Sequence, residues 1–224
     1  MWLIYIALEP FLRRRWPHRI IAWNRLLTGN FRDPLVGRDI LIGALAGVVL
    51  LLNSYLLHIS SKWLGKAPEM PIPVPLEAML GARGISIFFS AQLISSLVYA
   101  AVYMLLFLLL SIILRKEWLA IGMVWLLLVA FEGLASANLS TGLLHAGLGA
   151  AGVLFILVRF GFLTFIFTQF FILLAILYPL TSDPSAWYAG NALFALALGL
   201  AVAIYGFYIS LAGQPLFRGC LLQD

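Results

Sequence analysis

Residues 40–60 read ILIGALAGVVLLLNSYLLHIS, and this stretch decides the fold class. It has no acidic, lysine or arginine side chain, and it matches the roughly 20 apolar residues that a helix needs to cross a bilayer. The rest of the 224-residue chain has the same character, with 63% hydrophobic residues, 10% charged residues and a mean hydropathy of +1.05. Soluble domains are about half apolar and about a quarter charged. The composition therefore predicts an all-α, polytopic transmembrane helix bundle and excludes a nucleic-acid-binding protein.

Six spans are predicted in total. Backbone amides in hydrocarbon need internal hydrogen bonds, so each span is expected to be a helix. Residues 145–178 also fit one long helix with Arg159 buried inside it. The small, polar stretch ANLSTGLLHAG, residues 137–147, predicts a turn before this region. The predicted spans are 40–60, 85–114, 119–135, 145–158, 160–178 and 187–211.

Four regions follow from this pattern. Residues 1–8 are interpreted as the end of a truncated transmembrane helix, 9–39 as a basic juxtamembrane segment, 40–211 as the bundle and 212–224 as a tail. Within the second region, residues 16–28 predict a short amphipathic helix at the membrane interface. Prolines forbid a regular helix over much of 61–83, where we expect an extended loop and a short interfacial helix near Leu76–Leu80.

Arginines dominate the predicted juxtamembrane segment. If residues 9–39 are cytoplasmic, six crossings place most of the lysines and arginines of the chain on the same side, as the positive-inside rule expects. Only Lys62, Lys66 and Arg83 then lie outside. The segment is predicted to contact anionic lipid headgroups or to dock an upstream cytoplasmic domain. The residues predicted to make these contacts are Arg13, Arg14, Arg15, Arg19 and Arg25.

Small residues predict where the helices pack against each other, and aromatic residues predict where the spans end at the membrane interface. Lipid provides no hydrophobic drive between helices, so small residues are expected at their contacts. Gly43 and Gly47 form a GxxxG pair. Two further sets of small residues lie at similar spacing, namely Ala195, Gly199 and Ala203, and Gly149 with Gly152. The residues predicted to form an aromatic belt at the span ends are Trp63, Trp118, Trp187 and Tyr188.

Glu132 and His145 are the first candidates for a functional site, because ionisable groups inside a membrane are often functional. A proton relay or a one-metal site is one interpretation, although two ligands are too few for a specific metal. The plainer interpretation is that both are polar side chains that reach to the membrane interface. Ser140 and His145 also suggest a hydroxyl with an adjacent base, as in an intramembrane hydrolase.

Polar side chains on the first two full spans have two interpretations. They either form hydrogen bonds between helices or line a solute pathway. The residues concerned are Asn53, His58, Gln92, Ser95 and Ser96. Gln92 is retained as a weak candidate beside Glu132 and His145. No catalytic residue, cofactor ligand or metal ligand is predicted, and the lone Cys220 is interpreted as an inert thiol or a palmitoylation site.

Several strings resemble a known family. Ala7–Gly43, ALEPFLRRRWPHRIIAWNRLLTGNFRDPLVGRDILIG, resembles the membrane-embedded C-terminal region of multi-pass bacterial serine/threonine protein kinases. LVRFGFL at 157–163, PLTSDPSAWYAG at 179–190 and YGFYISLAGQPLF at 205–217 resemble its last helices, while 60–155 departs most. The resemblance implies a bacterial inner-membrane protein with a kinase domain preceding this region in the cytoplasm. Residues 9–39 and the C-terminus would then be cytoplasmic.

The chain has no kinase motifs of its own. Phosphoryl transfer needs a Gly-rich loop, a strand lysine, HRD and DFG motifs, and the sequence contains neither HRD nor DFG. The expected function is therefore a non-catalytic membrane anchor that also takes part in signal input to a kinase. The alternatives are a small permease or channel subunit and, more remotely, an intramembrane hydrolase. The oligomeric state is left open.

Overall fold

The computed structural model describes residues 21–66, 81–178, 181, 183, 185–186 and 188–211. These residues form an all-α bundle without β-strands, as the composition predicted. Its helices are α1 (Ile21–Leu27), α2 (Pro34–Trp63), α3 (Gly81–Leu114), α4 (Glu117–Ala135), α5 (Leu139–Arg159), α6 (Phe162–Leu177) and α7 (Ala189–Ser210). The predictions for residues 1–8, Arg13–Arg15, Arg19, Leu76–Leu80 and Cys220 lie outside the described residues.

Five of these helices, α2 to α5 and α7, are long and apolar enough to cross a membrane. The protein is therefore a polytopic membrane helix bundle. The remaining predicted span, 160–178, differs, because α6 has only 16 residues and is shorter than a full crossing usually needs. The first span is longer than predicted: α2 begins at Pro34, where the Asp33 side chain accepts a hydrogen bond from the Leu35 amide.

Residues 145–178 form two helices, as the first of the two interpretations predicted. The break lies at Gly161, whose φ of 100° is accessible mainly to glycine. The predicted turn at 137–147 is wrong from residue 139 onward, because α5 begins at Leu139. Its small residues serve packing: a Cβ on Gly142 would overlap the Ser136 side chain at the end of α4.

Successive long helices run antiparallel, so the bundle has two distinct ends. At one end Trp23 packs edge-on against Phe162, and the Tyr205 hydroxyl donates to the Phe31 carbonyl over 3.2 Å. At the other end the Ser61 and Thr141 hydroxyl oxygens lie 3.4 Å apart. We call the first the basic end, because it holds Arg25, Arg32, Arg38, Arg115, Lys116 and Arg159. The second, which holds Lys62, Lys66 and Arg83, we call the polar end.

Glycines bring α2 close to two neighbours. A Cβ on Gly43 would lie 2.6 Å from the Phe167 Cβ, and one on Gly47 would lie 2.8 Å from the Phe171 Cβ, so the predicted GxxxG pair packs against α6. A Cβ on Gly37 would lie 2.6 Å from the Gly206 carbonyl oxygen, which places the backbones of α2 and α7 in contact. The apolar core fills the space between α3, α4, α5 and α6, around Phe107 and Phe165.

Candidate functional site

A polar cluster lies inside the bundle near the polar end, between α2 and α5. Asn53 of α2 and the buried His145 of α5 are its centre. The Asn53 Nδ2 donates to the His145 carbonyl oxygen over 3.0 Å, and the Asn53 Oδ1 lies 3.1 Å from the His145 Nδ1. On the far side of the ring, the Ser60 Oγ lies 3.2 Å from the His145 Nε2. Each ring nitrogen of the imidazole therefore lies next to one polar side chain of α2.

These contacts orient the Asn53 amide and the His145 ring. The amide nitrogen of Asn53 must face the His145 carbonyl, since an oxygen there would repel it, and this turns Oδ1 toward Nδ1. Nδ1 therefore carries a hydrogen and donates it to the Asn53 Oδ1. The Ser60 hydroxyl donates to the Leu57 carbonyl of its own helix over 3.0 Å, and its oxygen lies 3.2 Å from Nε2.

A cavity of about 70 Å³ lies beside this pair, between α2, α4 and α5. Its volume exceeds what one water needs. Glu132, near the end of α4, reaches the cavity from the side opposite α2. The lining residues are Asn53, Ser54, Leu57, Glu132, Ser136, Gly142, His145 and Ala146. The two site candidates that the sequence predicted, Glu132 and His145, thus meet at one cavity.

Their surroundings differ. His145 is buried and hydrogen-bonded to Asn53. Glu132 is exposed, and within the described residues its carboxylate has neither a hydrogen bond nor an ion pair. In that part of the chain no three His, Cys, Asp or Glu side chains come together as a metal site requires.

The pairing of Ser140 with His145 is not observed. Ser140 instead accepts from the Lys66 ammonium group, while His145 contacts Ser60 and Asn53. The prediction was wrong because it treated 137–147 as a turn. On the helix α5, His145 points toward α2, away from the first turn where Ser140 contacts Lys66.

The other predicted polar residues lie elsewhere. Gln92 is fully buried between α3 and α6, where its Nε2 donates to the Phe170 carbonyl over 3.0 Å and its Oε1 has no partner among the described residues. The hydrogen bonds between helices predicted for Asn53 and Gln92 are thus confirmed. His58 and Ser96 instead contact carbonyl oxygens of their own helices, those of Ser54 and Leu93.

At the basic end, two exposed arginines pair with acidic side chains of the chain itself. Arg25 forms an ion pair with Asp33. Arg38 donates twice to the buried Asp39, over 3.0 Å from Nη2 and 3.2 Å from Nε. Arg159 is exposed as the last residue of α5, so the alternative of a charge buried inside one long helix is wrong.

Sequence reasoning missed Ser60, Ser61, Thr141 and Asp39. One signal was present: Asn53 and Ser60 are seven residues apart, two turns of one helix, and therefore share a face. A helical assignment for 139–147 would have brought His145 into consideration as their partner. Asp39 gave no comparable signal, because a carboxylate next to Arg38 looks like part of a solvated flank.

Comparisons with known proteins give no relative. No family model, no curated protein and no solved structure matches this chain. The resemblance to the membrane regions of kinases is therefore untested and stays a prediction.

Proposed function

We propose that this chain is the non-catalytic integral membrane domain of a bacterial serine/threonine protein kinase. In this role it anchors the kinase in the inner membrane and passes a signal inward. The basic end then faces the cytoplasm, beside anionic lipid headgroups and an upstream kinase domain.

One observation carries the proposal: strings that are far apart in sequence but share the resemblance meet at the basic end. Within Ala7–Gly43, the described residues Ala22, Val36 and Ile40 form a cluster with Leu163, which belongs to the 157–163 string. Tyr205 and Gly206, from the 205–217 string, contact Phe31 and the helix face of Gly37 and Ile40. The separated strings that carry the resemblance are therefore packed together in one region at the basic end, as parts of one structural unit would be.

The distribution of charge also supports a docking or lipid-contacting role for the basic end. Arg32, Lys116 and Arg159 form no ion pair with a described acidic residue and are exposed at the basic end. Each basic group near an anionic leaflet contributes about 1 kcal/mol of attraction. The exposed cations thus suit both lipid headgroups and an acidic face of a cytoplasmic domain.

The test uses the gene product isolated from its own membranes with an antibody against this chain. We expect ATP-dependent phosphorylation of serine or threonine by this material in nanodiscs. The double variant Arg32→Gln/Arg159→Gln should change that activity, whereas Lys62→Gln/Arg83→Gln, at the polar end, should not. A product of the length of this chain alone, with no kinase activity, would contradict the proposal.

A small permease or channel subunit is the rival. It is favoured by Gln92, whose buried Oε1 has no partner in the part of the chain that the structure describes, as a solute-contacting group would. Gln92, however, lies between α3 and α6, while the cavity lies between α2, α4 and α5. The polar groups of the described residues therefore do not follow one path. Solute flux through proteoliposomes that disappears in Gln92→Ala would favour this rival.

A further inference from the structure

We propose that the cavity beside Glu132 is a binding site for a small monovalent cation, an alkali ion or a primary ammonium group. The site is built by Glu132, Ser136 and Ser54. The proposal concerns this chain alone and does not depend on a kinase.

The first argument is the carboxylate. Glu132 lies in the last turn of a membrane-spanning helix, and it has no partner among the described residues. A lone ionised carboxylate near hydrocarbon is costly, and a cation relieves that cost. Since α4 ends at Ala135, Glu132 lies only about 5 Å from the helix end, at 1.5 Å per residue, so an ion can enter from the water at the polar end.

The second argument is the polarity of the cavity wall. The single hydrogen of the Ser136 hydroxyl is directed at the Gly133 carbonyl over 2.8 Å, with the Asn138 carbonyl 3.1 Å away, and the Ser54 hydroxyl donates to the Leu50 carbonyl over 3.3 Å. Because these hydrogens are already committed, the hydroxyl oxygens present lone pairs to the cavity. A carboxylate with hydroxyl oxygens suits a positive ligand and repels an anion.

The third argument concerns space. A Cβ on Gly149 would lie 3.4 Å from the Asn53 Nδ2 and 3.9 Å from the Glu132 Oε2, so the bare glycine lets both side chains approach α5. The cavity of about 70 Å³ admits an ion with a water or a methylammonium group, but not a large solute.

The residues that line the cavity also indicate that the ligand carries a single positive charge. Divalent calcium is bound by several oxygen ligands, commonly with more than one carboxylate. Glu132 is the one acidic residue among those lining the cavity. His145 cannot add an anionic ligand, and its ring nitrogens face Asn53 and Ser60. A single positive charge balances the single carboxylate.

The experiment measures thermal unfolding of the full chain in detergent, followed by circular dichroism. Chlorides of sodium, potassium, ammonium and methylammonium are compared at equal ionic strength with N-methyl-D-glucamine, a cation too large for the cavity. At about ten times its dissociation constant, a bound cation should raise the midpoint by roughly 3–6 °C. A larger rise with ammonium than with alkali ions identifies N–H donation, and an equal rise identifies charge alone.

Glu132→Gln should abolish the rise, whereas Glu117→Gln, at the other end of α4, should keep it. If Glu132→Gln does not fold, two milder variants take its place. Ser136→Ala removes one lone-pair donor, and Gly149→Ala places a methyl group between Asn53 and Glu132 at ordinary contact distances. Both should weaken the cation response. The proposal is overturned if no small cation raises the midpoint, or if the rise persists in all three cavity variants.

Discussion

At the basic end α2 crosses α7 with their backbones in contact, whereas at the polar end α2 meets α5 through side chains. The first contact depends on Gly37 and Gly206, which leave no space between the helices. The second depends on Asn53 and His145, and a cavity remains beside them. Close packing resists small displacements, while a hydrogen-bonded pair beside a cavity has room to adjust to a ligand. The same helix α2 connects the two, so movement at the polar end has a direct route to the basic end.

The largest loss of stability is expected when the close contact between α2 and α7 is disturbed. In Gly37→Ala the new Cβ would lie 2.6 Å from both the Gly206 carbonyl oxygen and the Ser210 nitrogen, which are backbone atoms that cannot rotate away. We expect a loss of about 1–3 kcal/mol in the free energy of unfolding, measured by denaturant titration in detergent.

Gly122→Ala is the matched control, because a Cβ there meets nothing within 4 Å. It should be neutral, or stabilising by up to about 1 kcal/mol, since alanine is the better helix former. Equal stability of the two variants would show that α2 and α7 do not touch at Gly37.

At the polar end, removing the hydrogen-bonded side chains should change the free energy of unfolding by less. In a double-mutant cycle of Asn53→Ala and His145→Ala, we expect a coupling energy of about 0.6 kcal/mol, the average for hydrogen bonds between membrane helices, and no more than the maximum of about 1.7 kcal/mol. Asn53→Ala with Gln92→Ala is the control cycle; these residues lie between different helix pairs, so their effects should add within about 0.5 kcal/mol. Additive effects of Asn53 and His145 would contradict the hydrogen bond between their side chains.

The fold class could be predicted from the sequence because composition alone imposes helices on a chain in lipid. The α2–α6 contact could be predicted in part, since Gly43 and Gly47 mark a face. The pairing of Asn53 with His145 could not. These spans are apolar all round, so their periodicity does not indicate which face turns inward.

Helix assignment failed at 139–147 for a related reason. Glycine and serine favour turns in water, where the backbone can bond to solvent, but in lipid they allow close helix approach. Gly142 against Ser136 and Gly149 near Asn53 use their small size in this way. The sequence therefore indicated Glu132 and His145 as candidates without placing them at one cavity.

The smallest effect concerns the connection between α6 and α7, where hydrogen bonds form in water. The Ser185 hydroxyl donates to the Asp183 Oδ1 over 2.7 Å and the Ser185 amide over 2.9 Å, and these bonds lower the pKa of that carboxyl below its ordinary value. A lowered pKa means that the stabilising contribution is present above the pKa of the unfolded chain and is lost as the pH falls through that of the folded chain.

Ser185→Ala should raise the pKa of Asp183, because the hydroxyl contributes most. A carboxyl ¹³C titration by NMR measures the shift, and an unchanged pKa would show that the hydroxyl does not bond to Asp183. Since the carboxylate is fully exposed, unlike Asn53 and His145, the change in unfolding free energy should be too small to detect.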